Sequence, residues 1–138
     1  MPPPKTPGLA ADCVVFDAAN RVLLIRRKYP PFKGRYALPG GFVDVGETVE
    51  AACRRELMEE TSVKAGKLKL VGVYSDPRRD PRSHNVSVVF MTRVARARPA
   101  AGDDAAAAEW VKDWKKMDLA FDHAAIIADA ARILRKRR

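Results

Sequence analysis

The residues best equipped to do chemistry lie between Gly41 and Val63, GFVDVGETVEAACRRELMEETSV. Gly41 is followed after five residues by Glu47, and after seven more by Arg55-Glu56-Leu57, with Glu59, Glu60 and Val63 closing the run. A helix from Thr48 to Thr61 would set Glu56, Glu59 and Glu60 at i, i+3 and i+4, three carboxylates over one turn of one face. Each like-charged pair at that spacing costs an isolated helix roughly 0.2–0.5 kcal/mol, and a hard divalent cation with oxygen ligands is the natural compensation. Val49, Cys53 and Leu57, at i, i+4 and i+8, give the same helix an apolar stripe that packs while the acidic face stays available.

A glutamate-rich helix is more often a plain solvated face. What separates this one is its lead-in, Leu38-Pro39-Gly40-Gly41-Phe42, with Gly46 beyond it. Glycine there permits close backbone approach, so the loop can bring the Gly40 carbonyl to the same cation. Arg55 and Glu47 read as an ion-pair brace between loop and helix, holding the carboxylates in register.

This run resembles the signature box of the Nudix hydrolases, G-x(5)-E-x(7)-R-E-U-x-E-E-x-G-U with U aliphatic, at every fixed position except Ser62. The family has glycine there to help end the helix, so the departure bears on the local turn and not on the carboxylates. The segments PPFKGRYALPGGFVDVGE, VYSDPRRDPRSHNVSVVF and LAFDHAAII are similar to those of bacterial and archaeal ADP-ribose pyrophosphatases, and of related sensor domains that bind the same sort of ligand. Together they cover most of the chain.

The resemblance implies an α+β fold, a Nudix-type α/β/α sandwich with a mixed central β-sheet flanked by helices. It implies hydrolysis of a nucleoside diphosphate linked to another moiety, with ADP-ribose giving AMP and ribose 5-phosphate as the favoured case. Oxidised nucleoside triphosphates are the alternative substrates, and a non-catalytic nucleotide sensor is the alternative of a different class. Pyrophosphate oxygens repel a nucleophile, so the site needs cations to neutralise them and to acidify a water. Gly40, Glu56, Glu59 and Glu60 are the expected ligands of Mg²⁺, with Mn²⁺ as its substitute. Glu56, Glu60 and Glu109 are the carboxylates expected in catalysis. The proton acceptor is left open between Glu56 and a group outside the box, where Asp103, Asp104 and Glu109 are available; Glu109 also reads as a strand-edge carboxylate beside Trp110.

Substrate contacts are expected from Arg27 and Phe32, beside the motif, and from a loop holding Arg78, Arg79, Arg82 and His84. Guanidinium forks bind phosphate bidentately and aromatic rings stack on bases, although solvated loop charges and a structural histidine are the plainer readings.

The elements that must position these groups follow from pattern. Ala11–Phe16 and Arg21–Arg27 read as a hairpin about Asp17–Asn20, Tyr36–Leu38 as a short strand, and Lys67–Ser75 and Asn85–Ala95 as longer ones. An alanine-rich loop through Ala107 leads to a strand at Ala108–Val111, and a final helix runs from about His123 to Arg137 with Asp122 as its N-cap. At 138 residues the chain suits one domain, with residues 1–8 a flexible lead and 9–138 the fold. On that reading no sensor output domain is expected.

A 47% hydrophobic and 31% charged composition is that of an ordinary globular protein, and no apolar run is long enough to cross a bilayer. The N-terminus has no signal pattern, so a cytoplasmic location is expected, and Cys13 and Cys53 read as free buried thiols. The formal charge of +9 favours polyanionic partners in general. No nucleic-acid-binding motif accompanies it, and Arg132, Arg135, Lys136, Arg137 and Arg138 read as a solvated helix end. A nucleotide is therefore the expected partner, with no nucleic acid and no membrane; the resemblance adds homodimers, which are frequent among such enzymes.

Overall fold

The computed structural model describes residues 2–102 and 104–136. Its centre is β1 (Gly8–Phe16), buried continuously from Ala11 to Phe16 because both faces of the sheet are covered there. Alternation along the strand sends Ala11, Cys13 and Val15 to one core and Val14 and Phe16 to the other. The remaining elements are β2 (Val22–Arg27), β3 (Tyr36–Ala37), β4 (Gly40–Phe42), α1 (Val49–Thr61), β5 (Lys69–Tyr74), β6 (Asn85–Arg93), β7 (Ala105–Val111) and α2 (His123–Arg135). A short 3₁₀ turn at Trp114–Lys116 precedes α2.

The sheet runs in the order β3-β2-β1-β6-β5, with β4 pairing β1 and β7 pairing β2. β1 and β6 are parallel from Gly8↔Asn85 to Phe16↔Arg93, and the other pairings are antiparallel, so the sheet is mixed. Leu57, Ala52 and Cys53 of α1 fill the core on one face, while Ile126, Ile127 and Ala130 of α2 fill the other with Trp114 and Leu119. The result is the α/β/α sandwich expected. Among the described residues no helix is long and apolar enough to cross a membrane.

Four expectations need correction. β1 opens at Gly8, inside the stretch expected as lead. Ala105–Ala107 are strand and not loop, because β2 has an open edge and accepts β7 from Arg27↔Ala105 to Val22↔Val111; tertiary pairing overrides the weak strand preference of alanine. Asp122 precedes α2 but its side chain caps nothing, since both carboxylate oxygens take Arg79 instead. Cys13 and Cys53 are joined in a disulfide, with Cα atoms 6.0 Å apart, because the inward stripe of α1 lies directly over β1. Arg137 and Arg138 lie outside the described residues.

The ends of α1 are locally determined. Thr48 Oγ1 accepts from the Ala51 amide at 3.0 Å, and Ser62 closes the helix in the left-handed region at φ 61°, its amide donating to Met58 O. The turn that glycine makes in the family pattern is therefore kept by serine, at a steric cost. Ser62→Gly should raise stability by about 0.5–1 kcal/mol in urea denaturation, with no change of fold. The disulfide closes a span of 40 residues, so Cys53→Ser should lose about 2–4 kcal/mol in the same assay, and non-denatured protein should resist thiol alkylation.

Candidate active site

A cleft of about 400 Å³ opens where β1, β4, α1, the loop after β5 and the start of α2 converge. One wall is acidic, with Glu56 and Glu60 above Asp12 on the floor; the other is basic, with Arg27, Arg79 and Arg82. The acidic wall depends on the fit between β4 and α1. A Cβ on Gly41 would sit 2.5–2.7 Å from the Glu56 carboxyl, so any side chain there would push that carboxyl out of its place. The Gly40 amide donates to Glu60 Oε1 at 3.3 Å.

Arg55 organises the rim. Its Nε and Nη2 donate to both oxygens of Glu47 at 2.8 and 3.0 Å, Nη1 donates to Glu56 Oε1 at 2.8 Å, and Nη2 reaches Phe42 O at 3.1 Å. Hydrogen bonds from Arg55 hold the Glu47 carboxyl down at about 2. Glu59 departs from its two neighbours: it is exposed, bonded to Arg55 at 3.3 Å, and outside the cleft lining.

Glu60 is in the opposite situation. Burial pushes its carboxyl well above the usual range, and the Glu56 and Asp12 charges push the same way against the Gly40 amide. Among the described residues no three His, Cys, Asp or Glu side chains are already drawn together as a cation cage. A hard cation nevertheless fits the oxygen donors of Glu56 and Glu60, because it would reverse the cost of placing buried carboxylates side by side.

The loop before β7 is fastened to the end of α1. Ala100 and Gly102 amides donate to Thr61 O and Glu60 O at 2.8 and 3.0 Å, and a side chain on Gly102 would collide with Glu59 O. This latch brings Asp104 to the cleft. Glu109 is elsewhere, exposed on β7 and accepting from Tyr36 Oη, and does not line the cleft. Asp103 lies outside the described residues.

The basic wall is largely paired within itself. Arg79 is held by Asp122 at 2.7 and 2.9 Å and by Asn85 O, and Arg82 by Asp80 at 2.8 Å. Arg27 donates to Pro31 O and lies 4.9 Å over the Phe121 ring, with Arg82 5.6 Å from the same ring. Phe32 packs edge-on to Phe121 at 4.9 Å, behind the cleft lining. Arg78 is exposed beside Asp76, and His84 bonds Ser75 O at 3.0 Å; neither lines the cleft. Sequence reasoning missed Asp12, Phe121 and His123. Asp12, an acid inside an apolar strand run, was a legible signal, and Phe121 and His123 lie in the segment LAFDHAAII already singled out.

A NUDIX domain profile matches residues 6–135. The chain belongs to the Nudix hydrolase family. It is 49% identical over 126 residues to an ADP-ribose pyrophosphatase of Methanocaldococcus jannaschii, covering 91% of this chain and 74% of the relative. It is 32% identical to the ADPR responsive transcriptional repressor NtrR of Acinetobacter baylyi, covering 96% of this chain and 57% of that longer protein. Among solved structures it is similar to the NUDIX domain of Shewanella oneidensis NrtR complexed with ADP ribose, at 30% identity and a TM-score of 0.89, over 94% of this chain and 90% of that one.

The Nudix brace gives a direct titration test. Because the folded Glu47 carboxyl lies below its ordinary 4.5, its contribution is full above that value and is lost as pH falls toward about 2. Carbon NMR of the Glu47 carboxyl should show a midpoint near 2, returning toward 4.5 in Arg55→Ala; an unmoved midpoint would separate the two residues.

Proposed function

We propose that the chain hydrolyses ADP-ribose to AMP and ribose 5-phosphate with Mg²⁺, Mn²⁺ serving as substitute. The observation that carries this reading is the opposition of a carboxylate wall and a guanidinium wall across one cleft, the arrangement a bridging pyrophosphate requires. The 49% identity to an ADP-ribose pyrophosphatase supports the choice of substrate. A divalent cation held by Glu56 and Glu60, with the Gly40 carbonyl near, would neutralise phosphoryl oxygens and acidify the attacking water.

The residues then divide the work. Glu56 and Glu60 bind the cation and orient the water, Arg55 and Glu47 hold Glu56 in place, and Arg27 and Arg82 receive phosphate on the far wall. Asp104, carried by the loop latched to α1, is the better placed candidate for accepting the water's proton, since it lines the cleft and Glu109, bonded to Tyr36, does not. Glu59 acts at the rim, through Arg55.

A second reading, nucleotide sensing without turnover, is favoured by the likeness to the ADPR responsive repressor. Product analysis decides between them: ADP-ribose with Mg²⁺ should yield AMP, and EDTA should abolish it. Glu60→Gln should lower kcat by about 10³-fold or more with the fold intact. Asp104→Asn should lower kcat by about 10²–10⁴-fold and Glu109→Gln by much less, and the reverse order would move the base to β7. ADP-ribose bound but never cleaved would establish the sensor.

A further inference from the structure

The cleft floor holds two groups that the hydrolytic chemistry leaves unused. Asp12 is 8% exposed; Ser87 Oγ donates to its Oδ2, while Oδ1 lies against the Cα of Gly40, where any side chain would collide with it. His123 is 4% exposed, and its Nδ1 accepts from the Leu38 amide at 2.9 Å. That bond leaves the proton of the neutral ring on Nε2. Burial lowers the ring's pKa, which keeps it neutral. Among the described residues nothing donates to Asp12 Oδ1 and nothing accepts from His123 Nε2. Both residues line the cleft, and of the charges around the imidazole that of Asp12 acts on it most strongly.

An anionic acceptor and a neutral donor thus share one floor without bonding each other. Phosphoryl oxygen is the wrong partner for such a pair, since it only accepts and would face the Asp12 carboxylate. A hydroxyl both donates and accepts. We propose that Asp12 Oδ1 and His123 Nε2–H together clamp one sugar hydroxyl of the substrate, making the cleft floor a ribose-hydroxyl subsite between the carboxylate and guanidinium walls.

The subsite rests on the reading of the cleft as a nucleoside diphosphate-sugar site, and it explains how a sugar would be told from a third phosphate there. Ser87 and Leu38 serve it as positioning residues, fixing the carboxylate and the imidazole tautomer. A ligand without the hydroxyl would leave both buried groups unpaired, which corresponds to binding about 10- to 100-fold weaker.

The hydroxyl comes either from the adenosine ribose or from the terminal ribose, and analogues distinguish them. Calorimetry in EDTA would compare ADP-ribose with analogues lacking one hydroxyl of one ribose or the other. The intact protein should lose about 10- to 100-fold in affinity for one such analogue. In Asp12→Asn, which removes the anionic acceptor, and in His123→Asn, which keeps a partner for the Leu38 amide but lacks Nε2–H, that loss should shrink to within about threefold. Ser87→Ala, which only frees Asp12 to turn, carries the same comparison if either variant folds poorly. Equal affinity for every analogue, or a loss unchanged in the variants, overturns the subsite. So does a higher Mg²⁺ requirement in Asp12→Asn with the hydroxyl loss intact, which would make Asp12 a cation ligand. If ADP-ribose is bound with this pattern but not cleaved when Mg²⁺ is added, the hydrolytic reading fails and the subsite stands.

Discussion

The geometry of the cleft depends on a single guanidinium. Arg55 spends its donors on Glu47, Glu56, Glu59 and the Phe42 carbonyl, so one side chain joins the loop before α1, the helix itself and strand β4. A planar fork with five N–H groups can meet several acceptors at once in fixed directions, which a lysine cannot. Without it, the three carboxylates it binds would separate by repulsion, and the Gly41 backbone would lose the surface on which it rests.

Around that fork, α1 is fixed from three sides. The disulfide ties its inward stripe to β1, the loop before β7 caps its last carbonyls, and β4 lays Gly41 on Glu56 and gives the Gly40 amide to Glu60. This immobility has a chemical purpose, since displacing reacting groups by about 1 Å can cost about 10²-fold in rate. Glu60 is the corresponding strain: a carboxyl partly shielded from water at the cleft, beside two others, in a position that a cation would stabilise.

The opposite wall is built on a different principle. It carries three arginines, but Asp80 and Asp122 neutralise Arg82 and Arg79 in turn. Such pairing fixes each guanidinium before any ligand arrives, lowering the entropy lost on binding. It also means that the net charge of +9 describes the chain's surface better than it describes the cleft.

The sequence by itself determined the helix that bears the carboxylates, the brace partners and most strands, because each rests on local periodicity or on residues a few positions apart. It could not determine which carboxylates share the cleft. Glu56, Glu59 and Glu60 stand on one helical face, yet burial against β4 takes two of them and Arg55 takes the third to the rim. Nor could it pair Cys13 with Cys53, extend β7 back through three alanines, or turn Asp122 from cap to Arg79 partner. Each of these depends on the crossing of segments distant in the chain, where the energy of a contact formed elsewhere outweighs the preference of the residue itself. Asp12 and His123 are the clearest case. They lie on the first strand and the last helix, and only the parallel pairing of β1 with β6, with α2 packed across the sheet, makes them the floor of one cleft.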